Sequence, residues 1–134
     1  MKTPLFSVPV PSTNFSDDPR IAFDNADLRL EFRYQSKLGA ITFSKVRSFR
    51  HRGEPYCTAW HIEGNYDLLA EVHPSDWVDE LKQSAPEHQR SSWMMRHFMI
   101  YLDSFGCLEV VAEAAELGAL LQHQCLLDSL HCQD

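Results

Sequence analysis

From Asp27 to Tyr34 apolar and polar residues alternate without a break. Leu28, Leu30, Phe32 and Tyr34 fall on one side, Arg29, Glu31 and Arg33 on the other. That period of two predicts a strand with one buried and one solvated face. A loop at 35–39 with Gly39 leads to a second β-rich run, Ala40 to Phe49, which should fold back as a hairpin. Its alternation slips between Phe43 and Val46, which predicts a bulge. Tyr56 to Ile62, with Tyr56, Thr58, Trp60 and Ile62 in phase, and Tyr66 to Val72 are further strand candidates, separated by Gly64-Asn65.

The pattern is strongest between Trp93 and Glu116. Two apolar runs flank Asp103-Ser104-Phe105-Gly106, a turn in which Asp bonds its own backbone and Gly accepts a positive φ. Phe98, Ile100 and Leu102 would share one face with Leu108, Val110 and Ala112. The other face would carry His97, Met99, Tyr101 and Asp103 with Cys107, Glu109 and Val111. Apolar groups on both faces predict a hairpin central to a sheet.

Two helices are expected. Ser75 is a suitable N-cap, Asp76, Asp79 and Glu80 sit where the helix dipole favours acids, and Trp77, Val78 and Leu81 give the apolar spacing, so a helix should run near 75–85 and end at Pro86. Beyond Glu113 the leucines at 117, 120, 121, 127 and 130 suggest a C-terminal helix, weakened at Gly118 by about 1 kcal/mol relative to Ala. Residues 1–26 hold four prolines yet many apolar groups, which fits an extended arm or edge strand packed on the core. Together these elements predict one α+β domain over 1–134: an antiparallel β-sheet of about five strands, a helix near 75–85 and a C-terminal helix.

Composition narrows the class. The chain has 134 residues, 44% hydrophobic and 23% charged, ordinary for a soluble globular domain. No apolar run reaches the roughly 20 residues needed to span a bilayer, and the proline-broken N-terminal run is a poor signal peptide, so a cytoplasmic location is expected. In that compartment Cys57, Cys107, Cys125 and Cys132 should be free thiols. The net charge of −7 is uneven: residues 1–67 carry +1 and residues 68–134 carry −8. An acidic half repels phosphates and argues against a nucleic-acid partner. It suits a basic protein, and equally it keeps the chain soluble.

Candidate chemistry is sparse. Cys57 and His61 have C-x3-H spacing, but on a strand residues four apart lie about 13 Å apart and cannot chelate one ion. His123, Cys125, His131 and Cys132 add only scattered ligands, so no metal and no cofactor are expected. Cys107 with His97 and Asp103 could form an activated thiol, or Cys107 could be a buried filler. Asp103, Glu109, Glu113 and Glu116 could line one face for acid–base work or simply be solvated. Arg47, Arg50, His51 and Arg52 could grip phosphate or carboxylate, or be a solvated strand end. No phosphate-cradling Gly loop, zinc-protease motif or hydrolase elbow is present.

The hairpin pattern Trp93-x3-His97-Phe-x-Ile-Tyr-x-Asp-Ser-x-Gly-x2-Glu109-Val-x-Ala-Glu113 resembles that of small bacterial immunity proteins of polymorphic toxin systems. The likeness covers about one sixth of the chain. It implies a compact non-enzymatic α+β protein that binds a cognate basic toxin and blocks its active site, with polar contacts at Tyr101, Asp103, Glu109 and Glu113. Charge asymmetry adds Asp76, Asp79, Glu80 and Glu116 as contacts, and Trp77 as an anchor. The other readings are a small enzyme or ligand-binding domain using Cys107, His97 and Asp103, or a homodimeric adaptor in place of a monomeric inhibitor.

Overall fold

A computed structural model describes residues 1–90 and 93–122. It has the expected α+β class, but nine strands in two antiparallel sheets where one sheet of about five was expected. The strands are β1 (Lys2–Ser7), β2 (Arg20–Asp24), β3 (Asp27–Tyr34), β4 (Lys37–Ser44), β5 (Ser48–Arg52), β6 (Leu68–Val72), β7 (Arg96–Leu102), β8 (Gly106–Ala112) and β9 (Ala114–Gln122). One sheet has the order β1-β6-β7-β8-β5 and the other β2-β3-β4-β9. The helices are short: α1 (Ala59–Ile62), α2 (Asp76–Ser84) and α3 (Glu87–Arg90).

The central hairpin forms in the expected register. Phe98 pairs Val110, Ile100 pairs Leu108, and Leu102 pairs Gly106. Those residues face the second sheet, where Leu28, Leu30, Phe32, Ile41 and Phe43 meet them in one buried cluster. Phe43 and Phe98 touch with ring centroids 5.8 Å apart. A fully buried side chain of this size stabilises the fold by about 2–3 kcal/mol. The opposite face of β7 and β8 packs Met99, Tyr101 and Cys107 with Val72, Cys57 and Ile62 beneath α1. The five-stranded sheet is thus a middle layer, with strands on one side and helices on the other.

Several expected elements differ. The slip between Phe43 and Val46 is a crossing between the sheets: β4 ends at Ser44, Lys45 takes a left-handed φ of 54°, and β5 continues in the other sheet. Tyr56–Ile62 is not a strand. Glu54–Tyr56 form a 3-10 turn and Thr58 starts α1 with a reciprocal capping box to His61, which leaves Trp60 exposed and His61 buried. The N-terminal arm supplies β1 and β2, each at the edge of a sheet, where proline is tolerated. α2 follows its Ser75 cap as expected.

The C-terminal helix is overturned over residues 114–122, which form β9; the rest of that expected helix lies outside the described residues. Ala115 and Leu117 pack on the core while Ala114 and Glu116 point to water. β9 supplies hydrogen-bond partners along the open side of β4, and this tertiary demand overrides the helix propensity of Ala, Glu and Leu. Glu113 sits at the corner between β8 and β9. It accepts Arg47 at 3.0 Å and lies 3.9 Å from Lys45, so one carboxylate pins the β4–β5 and β8–β9 crossings.

Gly106 closes the hairpin turn at φ 105°, and a Cβ there would lie 2.1 Å from the Arg52 carbonyl oxygen and 2.9 Å from Glu54 N. Both obstacles are backbone. Gly106→Ala should therefore cost about 3 kcal/mol or more, whereas Gly53→Ala, with φ −61° and ordinary contacts, should cost under about 0.5 kcal/mol. Equal urea midpoints for the two variants would refute this account of the turn.

Candidate functional site

The outer face of the five-stranded sheet gathers most of the polar chemistry. In β8, Glu109 lies opposite Arg50 of β5 and Met99 of β7. Its carboxylate is buried and takes two bonds from Arg50, Nε to Oε2 at 3.1 Å and Nη2 to Oε1 at 3.0 Å. Oε1 also meets His97 Nε2 at 2.8 Å. Burial pushes the carboxyl up, but the His97 and Arg50 hydrogen bonds with their charges outweigh it, and the group settles at about 2. An ionised carboxylate only accepts, so His97 carries its proton on Nε2.

His97 Nδ1 meets Ser75 Oγ at 2.8 Å, and that oxygen accepts the Val78 N–H as the cap of α2. The order Ser–His–Glu resembles a hydrolase relay. Here, however, the hydroxyl is buried and serves the helix start, so the chain of bonds is an anchor for α2. Trp77 closes over it, edge-on to His97 at 5.1 Å and 4.0 Å from the Arg50 guanidinium carbon. A cleft of about 380 Å³ opens there, lined by Trp60, Trp77, Arg50, Ser75, Asp76 and His97 among others.

A second cleft, about 370 Å³, lies by the β7–β8 turn and carries Asp17, Asp18, Glu54 and Asp103. Asp103 accepts Tyr66 and Ser12 hydroxyls; Glu54 accepts Tyr101 Oη at 3.0 Å and Ser104 N at 3.1 Å. The bond to Asp103, with burial behind it, raises the Tyr66 phenol to about 12, and burial followed by Glu54 raises Tyr101 well above its usual range.

The sequence-predicted contacts therefore divide. Asp76, Asp79, Glu80 and Glu116 are exposed, and Asp103 is half-exposed on the acidic cleft. Glu109 and Tyr101 are buried and internally bonded, which removes them as surface contacts; Glu113 is committed to Arg47, and half-buried Trp77 covers Arg50 and His97. The thiol reading fails on geometry. His97 is held by Glu109 and Ser75, and Asp103 by Ser12 and Tyr66, so neither serves Cys107. Cys107 is buried, and burial with the Glu109 charge beside it pushes its thiol up to about 12. Cys57 Sγ points to the carbonyls of Arg52 and Gly53 and His61 Nδ1 to Thr58, and no cluster of three metal-ligating side chains exists among the described residues. His123, Cys125, His131 and Cys132 lie outside them. Asp17, Asp18, Glu54 and Ser75's role toward His97 escaped the sequence reading; only the spacing of acids near prolines hinted at the first two.

Comparison with protein-family models, curated proteins and solved structures finds no match to this chain. Among the described residues, no helix is long and apolar enough to cross a membrane.

Two outcomes follow from the Glu109 site. Its folded carboxyl is depressed, so its stabilisation is present above about pH 4.5 and is lost as pH falls toward 2. Glu109→Gln should cost about 3 kcal/mol at pH 7, because Arg50 loses its buried counter-charge, and the gap from wild type should shrink across that window. Urea midpoints at pH 7, 4 and 2.5 measure it; a pH-independent gap would contradict it. Separately, iodoacetamide at neutral pH should modify Cys107 only as fast as the protein unfolds, and rapid alkylation of the native fold would show that its thiol is activated after all.

Proposed function

We propose that this protein is an immunity-type inhibitor that binds a cognate basic toxin in the cytoplasm and occludes its active site with an acidic surface. The observation that carries the reading is the solvent face of α2. Asp76, Asp79 and Glu80 stand at i, i+3 and i+4, exposed, and none forms an ion pair among the described residues. Like charges at that spacing oppose their own helix, and only the N-terminal dipole offsets them. Such a face is better suited to an external cation than to the fold. The acidic cleft at Asp17, Asp18, Glu54 and Asp103 extends the same sign of charge to the other end of the layer, and exposed Glu116 adds to it on the second sheet. The inhibitor needs no catalytic group of its own, and the thiol that could have supplied one is buried and protonated.

The test is association with the product of the adjacent reading frame, followed by stopped flow. Replacing Asp76, Asp79 and Glu80 together by Lys should slow association by about tenfold or more at low salt, with the difference shrinking near 0.5 M salt. An unchanged rate constant would remove the α2 face from the interface.

A further inference from the structure

The basic run Arg50–Arg52 remains unexplained by an acidic inhibitor. It lies on β5, the edge strand of the five-stranded sheet, with Arg50 opposite Glu109 and Arg52 opposite Cys107. There a cleft of about 340 Å³ is lined by Arg50, His51, Arg52, Trp60, His61 and Glu109. It adjoins the 380 Å³ cleft through the shared residues Arg50 and Trp60.

Donors converge in it from two elements. Glu109 occupies Arg50 Nε and Nη2, leaving Nη1 without a partner among the described residues on a side chain that is 54% exposed. Among the described residues, the Arg52 side chain makes only a long 3.4 Å hydrogen bond, from Nη1 to the Tyr56 carbonyl. His61 Nδ1 accepts the Thr58 N–H at 2.9 Å, so a neutral ring must carry its proton on Nε2. Burial, and next the charge of Arg52, hold that imidazole below its usual pKa. The Glu109 charge is spent on Arg50 and His97. With Glu109 balanced by Arg50 and His97, Arg52 is the remaining positive charge of the cleft, in a chain of net charge −7. Beside it Trp60, with Lys2 over its ring at 4.2 Å, is still 48% exposed.

We propose that this cleft binds a small phosphorylated aromatic molecule of the nucleoside monophosphate class, its phosphate held by Arg50, Arg52 and His61 and its base stacked on Trp60. Three donors of different geometry match the three terminal oxygens of a phosphate monoester better than the two of a carboxylate. Arginine is the side chain suited to that contact, and an exposed indole is a stacking platform for any base. The joined clefts are of the size that small-ligand sites occupy.

The experiment is titration of the full chain with AMP, adenosine and inorganic phosphate, read by tryptophan fluorescence and by calorimetry. AMP should bind about tenfold more tightly than either fragment. Arg52→Gln should weaken AMP by about tenfold. Trp60→Leu should erase the preference for AMP over phosphate, while Glu87→Ala, exposed and outside both clefts, should leave binding unchanged. Circular dichroism and urea midpoints establish that each variant is folded, and Arg52→Lys, retaining the charge, should recover part of the affinity. No saturable AMP binding below roughly 5 mM would overturn the proposal. So would equal affinity for AMP and phosphate, or an Arg52→Gln protein that folds and binds as wild type.

Discussion

The double-sided burial of β7 and β8 is the constraint on which the fold depends. From His97 to Leu102 and from Gly106 to Ala112 every residue is buried. A sheet with water on one side could not hold such strands. One face is therefore met by β3 and β4, the other by α1, α2 and the turn at Glu54–Tyr56. The chain crosses between the sheets three times, between β1 and β2, at 45–47 and at 113, and Glu113 joins the last two crossings through Arg47.

Within that apolar hairpin stands one carboxylate. Glu109 is tolerated because Arg50 and His97 supply charge-assisted bonds, and because His97 passes the order on to Ser75 and the start of α2. The same bonds set the electrostatics of the surface above. By neutralising Glu109 they leave Arg52 and part of Arg50 as positive charge on the edge strand β5, while α2 and the β7–β8 turn remain acidic. One face thus presents both signs of charge, which fixes a partner's register better than uniform charge does.

The sequence made the central hairpin legible down to its register, because its two faces are both apolar and its turn chemistry is explicit. β3 and α2 were equally plain, from strict alternation and from the Ser75 cap. What sequence could not convey was which strands share a sheet. β5 alternates too little to declare its partner, and its pairing with β8 spans some 60 positions of chain, so Arg50 and Glu109 were visible as separate basic and acidic features and never as a pair. Leucine spacing predicts a helix after Glu113, whereas the vacant side of β4 decides the conformation of Ala114–Gln122. Candidate contacts suffered accordingly: exposed acids on a helix are identifiable from local pattern, but Tyr101 and Glu109 lie on a strand face whose burial depends on distant elements covering it.

The order of pairing also governs how the chain can assemble. β2-β3-β4 and β6-β7-β8 are built from strands consecutive in sequence, whereas β1 waits for β6, β5 for β8, and β4 for β9. Those long loops must close before their contacts repay the lost entropy, which places this topology among slow folders. During synthesis the Leu28–Leu30–Phe32 face emerges long before Phe98 and Val110 exist to cover it. The nascent chain therefore carries an uncovered apolar meander for most of its translation, and it is this interval that exposes the protein to aggregation or chaperone capture.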